Sequence, residues 1–309
     1  MALDGPLVPK VFMATTDSGA NPPQRWRACQ LCAAVQARIR YIANGYHIVE
    51  CERCGLVFVG EEVTREDLDE YYSKAYYSGG ANAYHDYLSL GDSRRMHYRS
   101  LMPSLRRNLP QATPIRVLDV GCAAGFFMDV AKEVGWEPSG VELSPYMSQI
   151  ARERGLDVRV GSLEEVDLPR EAFHLVTMWD MIEHAQHPRR ALERAHQLLA
   201  PGGLLVAATG DIGGLTARVY GRRWGLIAPP GHLFYFSRRS FFSMLDKTGF
   251  TPLEWQSDGA FLINDCDAQM RAGILSRLAV RLQQSRLGNA VLRRLKLGSI
   301  MTVFARKAK

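Results

Sequence analysis

From residue 115 onward, short apolar runs alternate with stretches whose apolar residues recur at helical spacing. Val117-Leu118-Asp119-Val120 is followed by Gly121-Cys122-Ala123-Ala124-Gly125 and then by Phe126-Phe127. A strand ending in a small-residue turn that opens a helix lets backbone N–H groups approach a ligand closely. The spacing is G-x-A-x-G, not the G-x-G-x-x-G of dinucleotide folds. Seventeen residues after Gly125, the run Gly140-Val141 ends at Glu142. A carboxylate in that position can take both hydroxyls of a ribose. A third strand is expected from Asp157 to Val160, leading into Gly161-Ser162-Leu163-Glu164, and a fourth from His174 to Met178, ending at Trp179-Asp180. Pro201-Gly202-Gly203 reads as a turn into Leu204 to Ala208, with further strands at Thr251 to Trp255 and Ser299 to Phe304. This βα alternation predicts an α/β, doubly wound, Rossmann-like sheet.

Helix signals fall between the strands. Ser144-Pro145 pairs an N-cap with Pro at the first helical position, and Pro188 opens another helix. Ser237 caps a helix carrying Phe241, Phe242, Met244 and Leu245 that stops at Gly249. Residues 211–236, dense in Gly, Arg, Trp and Pro, read as an irregular insertion. Nearer the start, Thr64 precedes Glu66 and Asp67 at a helix N-terminus. That helix carries Leu68, Tyr71 and Tyr72, and the tyrosines continue through Tyr76, Tyr77, Tyr84 and Tyr87. Residues 92–109 are expected to be helical.

Residues 1–24 lack apolar periodicity and read as a mobile leader. Beyond them stand Cys29-Gln30-Leu31-Cys32, eighteen residues, and Cys51-Glu52-Arg53-Cys54. This is the C-x2-C-x15–20-C-x2-C spacing of a tetrahedral metal site. Ile39 to Ile42 and Tyr46 to Val49, joined through Asn44-Gly45, read as a hairpin, with Leu56 to Val59 adding a third strand. The segment 25–62 resembles a zinc ribbon. Four cysteine ligands leave no open position, so the Zn2+ would be structural, contributing on the order of 10 kcal/mol of metal-linked folding energy.

Composition narrows the class. The 47% hydrophobic and 23% charged content over 309 residues is that of a globular chain with room for one large domain and an accessory module. The opening residues do not pattern as a signal peptide, and no stretch has 18 uninterrupted apolar residues. A cytoplasmic protein, in places peripheral to a membrane, is the expectation. The net charge of +6 hides an asymmetry, since residues 268–309 hold ten Lys or Arg and no Asp or Glu. Ile274, Leu275, Leu278 and Leu282, then Val291, Leu292 and Leu295, recur at helical spacing beside Arg277, Arg281, Arg293, Arg294 and Lys296. A basic amphipathic segment over 268–298 suits an anionic membrane surface, nucleic acid or an acidic partner. It equally suits a solvated helical pair that covers an active-site mouth or a homodimer interface.

The stretches VLDVGCAAGFF (117–127), GVELS (140–144), GSLEEVDLP (161–169), FHLVTMWDMIEH (173–184) and PGGLLV (201–206) together resemble class I S-adenosyl-L-methionine (SAM) dependent methyltransferases. The resemblance runs from about Ile115 to the end. It implies a seven-stranded sheet whose last strand inserts antiparallel between the fifth and sixth. It implies a methyltransferase domain over 111–309, with a substrate insertion at 211–240 and a tyrosine-rich linker or lid at 63–110. By that resemblance Gly121, Cys122, Ala123, Gly125 and Phe126 pass the methionine moiety, with Asp119 ordering the loop. Glu142 holds the ribose, Leu143 packs on the adenine, and Ser162 and Leu163 lie at its edge. The backbone around Trp179 and Asp180 faces the methionine amino group. Ala123 and Ser162 depart from the family pattern, which commonly has glycine and an acidic residue there.

For proton removal the candidates are His232, in Pro229 to Phe236, and the pair Glu183-His184 after the fourth strand. Trp224 and Tyr235 are expected to stack on the acceptor, and Tyr84 is the lid hydroxyl assigned to the acceptor side. The tyrosines between Tyr71 and Tyr87 equally suit packing of the ribbon against the core. His47, His85, His97 and His196 form no constellation. The acceptor is expected to be a small molecule, sugar-, lipid- or polyketide-like. RNA methylation is the alternative, weakened by a ribbon with six Lys, Arg or His against four acids over 25–62. A third reading makes the ribbon a docking module for a partner that carries the acceptor.

Overall fold

The computed structural model describes residues 25–71, 87–111, 113–258 and 286–308. The leader, the tyrosines at 72, 76, 77 and 84, Cys266 and the first basic helical stretch at 274–285 lie outside the described residues. The chain divides into two compact units. One comprises the described residues of Met1–Asp86, Gly210–Ser240 and Gln256–Met301; the other comprises Tyr87–Thr209, Phe241–Trp255 and Thr302–Lys309.

In the first unit, strands β1 (Ala37–Ala43) and β2 (Tyr46–Cys51) form an antiparallel hairpin in which Ala43 faces Tyr46. The turn residues Asn44 and Gly45 have φ of 49° and 80°, the double positive φ that a two-residue hairpin requires. β3 (Val57–Val59) pairs antiparallel with β2. A fourth strand was not expected: β9 (Phe234–Tyr235), out of the supposed insertion, pairs antiparallel with β3. The 211–236 stretch also contains a helix at Leu215–Tyr220 and a 3-10 turn at Gly221–Arg223, so it is less irregular than its composition suggests. Helix Arg65–Tyr71 opens with a reciprocal cap: Asp67 N–H donates to Thr64 Oγ1 at 3.2 Å, and Thr64 N–H to Asp67 Oδ2 at 2.8 Å.

The second unit is built on a seven-stranded sheet. Its strands are β4 (Arg116–Val120), β5 (Glu137–Glu142), β6 (Asp157–Val160), β7 (Phe173–Trp179), β8 (Leu199–Gly210), β10 (Phe250–Asp258) and β11 (Ile300–Lys307). The order is β10-β11-β8-β7-β4-β5-β6. β4, β5, β6, β7 and β8 pair in parallel, whereas the late strands run antiparallel, with β11 between β8 and β10. Pro201-Gly202-Gly203 is not a turn ahead of the strand. It is a bulge inside β8, where pairing with β7 jumps from Leu199 to Leu204. The central strands are buried on both faces, which is why they read as continuous apolar runs rather than alternating ones. Among the described residues no helix is long and apolar enough to cross a membrane.

Cys122, Met128, Ala151, Leu156 and Val158 form a tight apolar cluster. Two glycines are closed by it. A Cβ on Gly125, which sits at φ +80°, would lie 2.2 Å from Leu156 Cδ1, and one on Gly140 would lie 2.5 Å from Cys122 Sγ. Gly140→Ala should therefore overpack the cluster and cost about 1–3 kcal/mol in denaturant unfolding. Adding Cys122→Ala should recover part of that loss; simple additivity of the two changes would contradict this packing.

Candidate cofactor-binding and metal sites

The turn after β4 is shaped by backbone conformation. Gly121, Ala123 and Gly125 all have positive φ, at 70°, 46° and 80°. Ala123 thus occupies a conformation that glycine adopts more easily, and one hydrogen bond helps hold it there: its N–H donates to Glu142 Oε2 at 2.8 Å. The other oxygen, Oε1, accepts from Ser144 N–H at 2.8 Å. Glu142, at the end of β5, therefore ties the β4 turn to the start of helix Pro145–Glu153, whose cap is Ser144. Burial raises the Glu142 carboxyl above its usual range, and the N–H groups of Ser144, Ala123 and Leu143 oppose that shift.

Asp119 lies one strand inward. In the parallel register it stands beside Thr177 on β7, and the Thr177 hydroxyl donates to Asp119 Oδ1 at 2.7 Å. Burial pushes the Asp119 carboxyl up to about 7, against the pull of the Thr177 hydroxyl and with a further push from Glu142. Thr177 carried no signal in the sequence, since its role depends on strand register.

At the end of β7, Trp179 packs with Tyr98 and Phe127 at ring separations of 5.1 and 5.2 Å. Its indole Nε1 is buried and has no hydrogen-bond partner among the described residues. Burial holds the Tyr98 phenol protonated, well above its usual range, against the opposing Arg94 charge. Asp180 follows at φ +49°, with its N–H on the Ala208 carbonyl. Arg94, from helix Gly91–Asn108, reaches Asp180 Oδ2 at 3.7 Å and lies over the Tyr87 ring. Sequence reasoning missed Arg94, one of several arginines in that helix. Tyr87 stacks on Phe126, the first residue of the helix after the turn.

These residues fit a SAM-like ligand. A carboxylate can accept about four hydrogen bonds, and Glu142 accepts two at 2.8 Å with the Leu143 N–H also nearby, so acceptor capacity toward a ribose hydroxyl remains. Leu143 is 51% exposed beside it, an apolar side chain open to a flat ring. Leu163 is buried, so any contact from it would come through its backbone, while Ser162 is partly exposed. Glu183 is buried and His184 half-buried in the loop after β7.

In the other unit, Trp224 and Tyr235 are each only 3% exposed. The Tyr235 hydroxyl donates to the His232 carbonyl at 3.0 Å, so that residue acts in building its own segment. His232 is half-buried, with Nδ1 at 2.8 Å from the Leu226 carbonyl. A carbonyl only accepts, so Nδ1 carries the proton and the neutral ring has its basic lone pair on Nε2.

The sulfurs of Cys29, Cys32, Cys51 and Cys54 all lie within 4.8 Å of one another, with Cys29–Cys54 and Cys32–Cys51 at 3.5 Å. Tetrahedral thiolates at a Zn–S distance of about 2.3 Å would stand about 3.8 Å apart. Two turns build this set: Ala33 N–H donates to the Cys29 carbonyl and Gly55 N–H to the Cys51 carbonyl. The cluster fits a metal ion.

The methyltransferase-domain family matches residues 93–254, just over half of the chain. The chain belongs to that family. This methyltransferase-domain protein is 34% identical over 101 residues to the ubiquinone biosynthesis O-methyltransferase of Xanthomonas oryzae pv. oryzae, a match covering 30% of this chain and 42% of the relative. The first curated relatives it matches are thus spanned over about two fifths of their length. The enzyme of the same name from Ruegeria pomeroyi is 28% identical over 182 residues, covering 51% of this chain and 73% of the relative. A SAM-dependent methyltransferase structure from Archaeoglobus fulgidus superposes with a TM-score of 0.51 at 18% identity, over 72% of this chain and all of that one (100%). The fold is that of class I SAM-dependent methyltransferases.

The raised Asp119 gives a signed expectation. Below about pH 4 it is protonated in both folded and unfolded chains and its contribution to stability is intact. Between about 4 and 7 the unfolded chain ionises first, so stability falls; above 7 the loss is complete. Thr177→Val removes the hydroxyl that donates to that carboxylate and should extend the fall above pH 7. Unfolding midpoints from pH 5 to 8.5 that level off at the same pH in both proteins would contradict this.

Proposed function

We propose that this protein transfers the methyl group of SAM to a hydroxyl oxygen of a small-molecule acceptor. The observation that carries the cofactor half is the Glu142 clamp on a positive-φ turn, with exposed Leu143 beside it. In this reading Glu142 takes the ribose hydroxyls, Leu143 covers the adenine, and the Gly121–Gly125 backbone passes the methionine portion. Arg94 brings a cation to the end of β7, where a methionine carboxylate would lie. Bound SAM supplies a methyl group that is already activated. The chain's work is then alignment, worth about 7–11 kcal/mol, and removal of one proton.

His232 is assigned as the base. Its Nδ1 is committed to the Leu226 carbonyl, so Nε2 is the nitrogen that accepts the hydroxyl proton as the oxygen gains the methyl carbon. The relatives' printed name, O-methyltransferase, agrees with an oxygen acceptor, and the ubiquinone pathway in that name agrees with a ring hydroxyl. The four-cysteine site is assigned to structural zinc. The half-buried His184 and buried Glu183 remain as the second base candidate.

Methyl transfer to a soluble catechol, followed by mass spectrometry, tests this reading. His232→Ala should lower kcat by about 10²–10⁴-fold, leave the KM for SAM within a small factor, and remove the acidic limb of the pH profile. An unchanged rate in His232→Ala would move the base to His184. Product formed only on nitrogen or carbon acceptors would overturn the oxygen assignment.

A further inference from the structure

The ribbon and the segment that bears His232 are one piece of structure. The chain leaves the Cys51–Cys54 turn directly into β3, with Cys51 N–H donating to the Leu56 carbonyl at 2.9 Å. β3 then pairs with β9 so that Val57 faces Tyr235 and Phe58 faces Phe234. Val59 N–H extends the pairing to the Leu233 carbonyl at 2.9 Å. From the first cysteine turn, Arg27 donates to the same carbonyl at 3.3 Å, and its guanidinium lies 4.7 Å from the Phe234 ring and 5.5 Å from Phe58. At the tip of the β1–β2 hairpin, Asn44 Nδ2 donates to the Pro229 carbonyl at 2.9 Å. The backbone on both sides of His232 is therefore held by ribbon residues, at 229 on one side and at 233–235 on the other.

Those contacts leave little freedom for residue 232. A side chain between two anchored backbone points keeps its Cα fixed, and the Leu226 carbonyl then selects the Nδ1–H form of the ring. Neither anchor comes from the cysteine sulfurs themselves. Both depend on the ribbon being folded, and a metal ion held by the four clustered thiols would link that folding to metal.

We propose that the four-cysteine ribbon is a positioning device for the acceptor-side base, with Asn44 and Arg27 as the positioning residues that hold residues 229–235 and fix the tautomer of His232. The proposal rests on the reading of His232 as the base, and it links metal occupancy to proton transfer rather than to SAM binding. It also explains why a ribbon accompanies a domain whose cofactor motifs lie far from it in the sequence. Here the ribbon supplies a sheet edge on which an otherwise two-residue strand can form.

The test uses the full-length, metal-loaded protein and Asn44→Gly. Glycine accepts the +49° φ at this position, so the hairpin turn is kept while the amide is lost. Amide hydrogen exchange over 226–236 should quicken about fivefold. The ¹⁵N imidazole signals of His232, assigned by comparison with His232→Gln, should move toward a tautomer mixture. SAM affinity by calorimetry should stay within about twofold, since a lost hydrogen bond of this size acts locally. Arg27→Met, which retains an aliphatic stem, should act in the same direction, and metal removal with a chelator should have the largest effect on 226–236. Unchanged exchange and tautomer in Asn44→Gly, or unchanged exchange after metal removal, overturns the proposal. A His232→Gln protein that methylates catechol at full rate overturns the base reading instead and leaves the exchange results to stand by themselves.

Discussion

Glu142 meets two backbone N–H groups, one on each carboxylate oxygen, at a position only 7% exposed to solvent. One N–H belongs to the turn after β4 and the other to the helix start after β5, so a single side chain sets the distance between two adjacent βα units. Removing a buried acceptor of this kind leaves two donors unsatisfied and costs more than a hydrogen bond's net worth. The Ala123 backbone, held at positive φ, depends on the same contact. Packing below the turn completes the arrangement, because Gly125 and Gly140 leave no room for a side chain against Leu156 and Cys122. Contacts within the chain alone thus fix the shape of this turn, and alignment of a methyl donor would require such pre-organisation.

Much of the sheet was legible because its strands are buried on both faces and its turns carry small residues or proline. β4, β6 and β7 fall within two residues of the expected runs, β5 ends at Glu142 as expected but begins three residues earlier, and Ser144-Pro145 caps the helix as expected. The cysteine turns were equally legible, since two C-x2-C pairs at this spacing have few other uses. What could not be read depends on contacts between residues distant in sequence. β9 has only two residues, too few for any periodicity, and exists because Val57 and Phe58 offer it a partner. Thr177 matters only through its register beside Asp119. Trp224 and Tyr235 looked like an acceptor platform by residue type, yet both are buried, and type alone does not distinguish a platform from a core.

The division into two units alters how the chain should be pictured. Residues 211–240 and 268–298 were expected as a substrate insertion and a basic helical insertion of the methyltransferase domain; the described residues of Gly210–Ser240 and Gln256–Met301 fall in the same compact unit as the ribbon. The turn after β4 and the segment that bears His232 thus belong to different compact units. One is stabilised by a buried parallel sheet, the other by a small antiparallel sheet and a cysteine cluster.

A SAM site built from the β4 turn and Glu142 has a consequence for binding that can be measured. Calorimetric titration of SAM and of its demethylated product into the metal-analysed protein, with Glu142→Ala alongside, tests it most directly. Both ligands should bind the parent protein at micromolar concentration, and Glu142→Ala should lose that binding while still folded. Absence of binding to the folded, metal-loaded parent protein, or undiminished binding by Glu142→Ala, would contradict it.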